Sequence, residues 1–179
     1  YLFLLLLVVL FTGCTVKYDL NIDEDLSITE KVEATENEYD LKTNTGMNSD
    51  KAVDYLYNIF KRDGIQPSIS SKLEGDNLIA VASVSHKSIN DYVDNFSSDI
   101  FKKAKLSKSG NIYSLSFNQT EKLSKLDSSS LIYDNISVNI TIPFKVISSN
   151  ADNVYKNTYT WNLKKGEELA KVENEFNNK

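Results

Sequence analysis

One thiol and one imidazole bound the reactive chemistry of this chain: Cys14 and His86. A serine hydrolase needs an imidazole beside its serine, so His86 is the sole candidate base. No Gly-x-Ser-x-Gly elbow accompanies it, and its place between a strand and a helix reads as a surface loop. Zinc asks for several cysteine or histidine ligands, which a single His and a single Cys do not supply. The six glycines form no phosphate-cradling pattern. Asp23-Glu24-Asp25 offers oxygens to a hard cation, but the calcium-loop spacing, with its central Gly and distal Glu, is missing. The triplet reads instead as a solvated hairpin turn. Glycoside cleavage needs two carboxylates across a cleft, and among 25 acidic residues no pair stands out. With no catalytic set, no metal site and no cofactor motif, the expectation is a protein that is not an enzyme.

Cys14 takes its chemistry from what precedes it. Residues Tyr1 to Phe11 form an apolar run, and Thr12 and Gly13 lead into the cysteine. A bilayer-spanning helix needs roughly 20 apolar residues, whereas a secretory signal core needs only about 7–15. The run fits the signal, so residues 1–13 are read as a signal peptide whose beginning is missing before Tyr1. The tetrad Phe11-Thr12-Gly13-Cys14 resembles the lipobox of bacterial lipoproteins. That resemblance implies cleavage before Cys14 and a diacylglyceryl group on its sulfur. Two acyl chains anchor stably, each buried methylene contributing about 0.8 kcal/mol. Thr15 is not Asp, so no inner-membrane retention signal is implied. The expected location is the extracytoplasmic face of a cell membrane.

The remainder divides into a single domain over 14–165 and a charged tail or linker over 166–179. Its net charge of −5 is uneven. Nine acidic and two basic residues lie between Lys17 and Asp40, and six Lys with one Glu between Lys102 and Lys125. These read as two solvated faces. A basic segment can also lean on anionic headgroups, at about 1 kcal/mol per lysine near the surface. The acidic balance argues against a nucleic-acid partner.

Val16, Tyr18, Leu20 and Ile22 alternate with polar residues, the period of a strand with one buried face. Asp23-Glu24-Asp25 turns the chain, and Leu26, Ile28 and Val32 continue in a second strand of less regular spacing. Asn48 or Ser49 caps a helix carrying Ala52, Val53, Leu56, Ile59 and Phe60, which Asp63-Gly64 ends. A weak strand through Ile69 and Leu73 turns at Gly75-Asp76-Asn77. The run Leu78 to Val84 then reads as a central strand buried on both faces. Ser88, with Asp91 three residues on, opens a second helix through Ile89, Tyr92, Val93, Phe96 and Ile100. A hairpin follows around Ser109-Gly110-Asn111, with Tyr113, Leu115 and Phe117 on one face. Residues 118–134 give little pattern. The strongest strand spans 136–147, and a bend is expected at Pro143, which cannot donate to a ladder. Tyr155, Tyr159, Trp161 and Leu163 then share the face of a returning strand. In the tail, Leu169, Val172 and Phe176 fall at helical spacing.

The order ββαββαββββ predicts an α+β fold: a curved, mainly antiparallel sheet of about eight strands with two helices on one face. Three features combine: the lipobox, the opening Val16-Lys17-Tyr18-Asp19-Leu20, and the closing hairpin Pro143-Phe144-Lys145-Val146 through Ser149-Asn150-Ala151-Asp152 to Tyr159-Thr160-Trp161-Asn162-Leu163. Together they resemble the LppM-type lipoprotein domain, a family of bacterial envelope proteins. Members often show Gly after the Pro, where Phe144 stands here. The family implies no catalytic residues, and in many members a second membrane anchor lies beyond the domain.

The expected function is a membrane-anchored binding module for an amphipathic envelope molecule, a lipid or glycolipid. Tyr155, Tyr159 and Trp161 are the candidate ligand-facing residues, since apolar pockets rimmed by a few polar groups suit such ligands. Ordinary core is the plainer role for the same stripe. A structural or accessory protein that docks another envelope protein is the alternative, and it predicts an exposed apolar patch.

Overall fold

Short turns between alternating segments build most of this structure. The computed structural model describes residues 14–46, 48, 50–51, 53–54, 66–95, 103–118, 133–164 and 172–177. The strands are β1 (Cys14–Ile22), β2 (Ile28–Asn37), β3 (Ser68–Glu74), β4 (Asn77–His86), β5 (Lys103–Ser109), β6 (Ile112–Asn118), β7 (Tyr133–Thr141), β8 (Lys145–Ser149), β9 (Asn153–Tyr155), β10 (Thr158–Lys164) and β11 (Val172–Asn177). Helix α1 (Glu38–Thr45) follows β2, and α2 (Ile89–Asp94) follows β4. Residues 50–51 and 53–54 are also helical, and Asn48 Oδ1 accepts from Lys51 N at 3.1 Å as their cap. The rest of the helix expected through Phe60 lies outside the described residues, as do Phe96, Ile100 and Leu169.

The fold is α+β as expected, but its strands form two sheets, not one. A seven-stranded sheet runs β3-β4-β2-β1-β7-β10-β9, and a four-stranded sheet runs β5-β6-β11-β8. Every described pairing is antiparallel except β1 with β7. Pro143 marks the change of sheet. The chain leaves β7 at Thr141, passes Ile142-Pro143-Phe144, and enters β8 in the smaller sheet. The expected bend is thus a crossing between layers, at the residue that has no N–H to give a ladder.

Hairpin turns follow the glycines. Gly75 (φ 61°) and Gly110 (φ 63°) sit at the first central position of two-residue turns closing Glu74 on Asn77 and Ser109 on Ile112. Positive φ is what favoured hairpin turns demand there. At the β9–β10 turn the same position is taken by Lys156, with φ 55°.

One core draws on both sheets: Tyr18, Leu20 and Ile22 from β1, Val138 and Ile140 from β7, Leu115 and Phe117 from β6, and Phe176 from β11. The opposite face of the large sheet is charged and polar. Lys17 lies across from Glu33 and Asp19 across from Lys31, so unlike charges face each other between β1 and β2. Asn139 Nδ2 donates to Asp19 Oδ1 at 2.9 Å, and Thr160 Oγ1 donates to Asn139 Oδ1 at 2.8 Å. Such surface pairs add little stability, but they mark this face as the wet one. That explains a correction at β4. Leu78, Ala80, Ala82 and Val84 are buried, whereas Ile79, Val81 and Ser83 are only half-buried. The strand is interior in order but one-sided in burial.

Two further segments depart from expectation. Residues 38–45 form α1, with Asn37 Oδ1 accepting from Tyr39 N and Asp40 N, and Gly46 as a left-handed C-cap. The helix buries Leu41. The charged tail or linker read over 166–179 gives way at 172–177, which is β11, paired on both sides by β6 and β8. Its residues alternate rather than follow helical spacing, and Phe176 stacks between Tyr113 (5.5 Å) and Phe144 (5.7 Å).

Candidate functional site

A charged residue points inward from β2. Ile28, Glu30, Val32 and Ala34 all face the core, which is why the apolar spacing there looks irregular. Glu30 is fully buried, and three more polar side chains gather around it: Tyr18, His86 and Tyr92. Strand register builds the cluster. Glu30 pairs with Leu20 on β1 and Val84 on β4, so Tyr18 and His86 are its diagonal neighbours two residues on. Diagonal positions are within reach of long and aromatic side chains.

Tyr92 is brought in by α2. Ser88 Oγ accepts from Asp91 N at 3.1 Å as the expected N-cap, and Asp91 Oδ2 accepts from Lys87 N at 3.1 Å. The box is reciprocal, shifted by one residue from the usual form. With the helix start fixed, Ile89 and Tyr92 turn into the core.

The bonds run in one direction. Tyr18 Oη donates to Glu30 Oε1 at 2.8 Å. Its single proton is thereby used, so in the 2.7 Å contact between the two phenols Tyr92 donates to Tyr18. On the other side His86 Nε2 lies 3.3 Å from Glu30 Oε2. His86 Nδ1 is buried and meets no hydrogen-bond partner among the described residues. The tautomer that fits carries the proton on Nε2, since an N–H at Nδ1 would be a buried donor left unpaired. The imidazole meets Tyr92 edge to face, centroids 5.2 Å apart at 81°.

His86 is thus not the surface residue its sequence position implied. It is the last residue of β4 and falls on the inward parity of that strand. An acid, a histidine and a phenol in contact are a proton-handling set, but the side chains of Glu30 and His86 are both wholly inaccessible. They tie β1, β2, β4 and α2 together.

Burial, and then the charge of the neighbouring Glu30 carboxylate, push the Tyr18 phenol well above its ordinary value near 10. The folded chain then keeps a proton that the unfolded chain releases, so stability is intact below about pH 10 and declines as pH rises past it. Urea midpoints taken between about pH 8 and pH 11 should fall toward the alkaline end. Tyr18→Phe should flatten that slope, and an unchanged slope would locate the alkaline sensitivity elsewhere.

The other sequence candidates are scattered. Asp23, Asp25 and their neighbours close the β1–β2 turn on themselves: Asn21 Nδ2 donates to Asp23 Oδ1 at 2.9 Å and Ser27 N to Asp25 Oδ1 at 2.9 Å. Hydrogen bonds from Ser27 hold the Asp25 carboxyl below its usual range. The aromatic trio is split. Trp161 is buried, its Nε1 donating to Asn150 Oδ1 at 3.0 Å, and Tyr159 is half-buried beside it on β10. Tyr155 pairs with Thr158, which puts it on the other face of the sheet, 74% exposed. The two-residue turn at Lys156-Asn157 reverses the parity that a single continuous strand would have kept. Cys14 is the first residue of β1; Phe11, Thr12 and Gly13 lie outside the described residues.

Similarity to other proteins is carried by shape. No protein-family model and no curated protein matches the chain. Among solved structures, the NMR structure of the Mycobacterium tuberculosis LppM folded domain superposes with a TM-score of 0.56 at 17% identity, covering 92% of this chain and 89% of that one. Yeast LTA4 hydrolase in complex with bestatin gives a TM-score of 0.29 at 10% identity over 90% of this chain and 27% of that one, too low a likeness to bear on fold. The expected closing hairpin is not formed, since Lys145–Ser149 pairs with β11 in the smaller sheet while β10 pairs with β7 and β9 in the larger. The resemblance holds at the level of architecture: this chain has the fold of the LppM domain.

Proposed function

We propose that this chain is a bacterial surface lipoprotein, held on the extracytoplasmic face of a membrane by lipid on Cys14, whose domain binds and does not catalyse. The observation that carries the proposal is the lipobox-like tetrad Phe11-Thr12-Gly13-Cys14 after an apolar run; cleavage before Cys14 would leave every described element on the mature chain. The likeness to the LppM folded domain supports the same reading. Among the described residues no helix is long and apolar enough to cross a membrane. The closed Glu30–His86 pair favours a structural over a catalytic use of the acid and imidazole.

The ligand we propose is an amphipathic envelope molecule, a lipid or glycolipid, met by the half-buried Tyr159 and its neighbours on β10. Docking of another envelope protein is the second reading. It is favoured by β9, a sheet-edge strand on which Val154 is 56% and Tyr155 74% exposed; apolar edges are sites of strand addition.

Cys14→Ser, expressed behind a complete signal peptide, should move the protein from the membrane fraction to the soluble one. Retention would mean that something other than Cys14 holds it. Native mass spectrometry with lipid extraction then separates the two binding readings. A co-purifying lipid that is lost in Tyr159→Ala supports the lipid module. A clean apo mass, with no uptake from excess envelope lipid, favours the protein-docking reading.

A further inference from the structure

Cys14 has no linker between it and the fold. It pairs with Tyr133 of β7, and the next residue, Thr15, pairs with Thr35 of β2 and Asn135 of β7. β1 is an interior strand of the seven-stranded sheet. A lipid on Cys14, as proposed above, would therefore hold one end of that sheet at the headgroups with no slack to lift it away.

Register identifies what shares that end. Thr35 pairs with Thr15, so the next residue of β2, Glu36, is level with Cys14. Glu36 pairs with Leu78, and Leu78 with Leu73. Cys14, Glu36, Leu78 and Leu73 thus form one row across four strands, and at about 4.8 Å per strand Leu73 stands about 14 Å from Cys14. Asn37 ends β2 one residue beyond the row, and Tyr39 follows in the first turn of α1. Tyr39 is 75% exposed and Leu73 55%. Both lie at the Cys14 end. By contrast, Tyr155 pairs through Thr158 and Thr141 to Asn21, about 23 Å along β1 from Cys14 at about 3.3 Å per residue.

We infer that this end of the large sheet is a membrane-contacting face, with Tyr39 and Leu73 seated in the headgroup region of the bilayer that holds Cys14. Tyrosine is favoured at that depth because its ring is apolar and its hydroxyl stays wet. The charged groups nearby are net acidic: Glu36, Glu38, Asp40 and Asp76 against Lys42, with Lys72 paired to Glu74. Contact with an anionic bilayer is therefore made by Tyr39 and Leu73 and not by charge attraction, so added salt should not weaken it.

Thiol labelling tests this directly. Lipidation blocks Cys14, the only native thiol, so Tyr39→Cys, Leu73→Cys or Tyr155→Cys each accepts a single environment-sensitive fluorophore. The lipidated protein is reconstituted in vesicles of phosphatidylethanolamine and phosphatidylglycerol, and quenching by iodide is measured. Labels at 39 and 73 should become several-fold less quenched than in detergent-free solution of the Cys14→Ser chain, and the label at 155 should not change. A flexible Gly-Ser spacer inserted between Cys14 and Thr15 should abolish the protection. Equal quenching at all three positions, on protein whose amino-terminal peptide carries the lipid mass, overturns the orientation alone. An unmodified amino-terminal peptide removes the lipoprotein reading and this inference with it.

Discussion

Glu30→Ala should lower the unfolding free energy by about 3–5 kcal/mol, the usual cost of deleting one partner of a buried polar or ionic pair. The substitution removes the acceptor of Tyr18 and the partner of His86 Nε2, a ring whose Nδ1 meets no hydrogen-bond partner among the described residues. Urea denaturation reads the effect as a lower midpoint at an unchanged slope. Glu30→Gln keeps an acceptor for Tyr18 and should lose much less. Filling the cluster with apolar groups, Glu30→Leu with His86→Phe, should recover most of the loss, because well-packed apolar residues often equal or exceed a buried pair. If Glu30→Ala unfolds no more easily than the parent chain, the cluster does not hold these elements together.

Phe176→Ala is the second large effect, about 3–5 kcal/mol for a buried phenylalanine. The ring is fully buried between Tyr113 and Phe144, which are contributed by β6 and by the crossing segment after β7. Its loss opens a gap that Tyr113 cannot fill without leaving β6, nor Phe144 without shifting the crossing segment between β7 and β8. Hydrogen exchange should rise first in β6, β8 and β11, whose mutual bonds depend on β11 staying in place. Glu175→Ala, next to it but only half-buried, should stay within about 0.5 kcal/mol of the parent. Equal losses at the two positions would mean that the aromatic stack is not what secures β11.

Local chemistry was legible in the residues. The alternation in β1, the glycine turns at Gly75 and Gly110, and the Ser88–Asp91 box each specify their element within a few neighbours, and each is present. Long-range choices were not. Nothing near Cys14–Ile22 announces a parallel partner at Tyr133–Thr141, and Pro143 marks a break without saying that the chain enters another sheet. α1 has a cap at each end but only Leu41 to bury, so no apolar stripe reveals it. β11 hides behind charge, with Phe176 buried between half-buried Glu175 and Asn177. The polar cluster did leave one trace: Glu30 holds an inward position between Ile28 and Val32. His86 left another, two residues past Val84 on the same parity. Both traces appear only once strand register is applied to charged residues as well as apolar ones.

The parallel pairing of β1 with β7 also governs the order of assembly. Asp19 meets Asn139 across 120 residues of chain, so β1 is synthesised long before its second neighbour exists. Until then it can pair only with β2, and its other edge, lined inward by Val16, Tyr18, Leu20 and Ile22, stands open as a template for stray strands. Closing so long a loop is slow. The nascent protein is therefore most vulnerable to aggregation in the interval between the first hairpin and the arrival of β7, and a chaperone acting on this chain would find its substrate there.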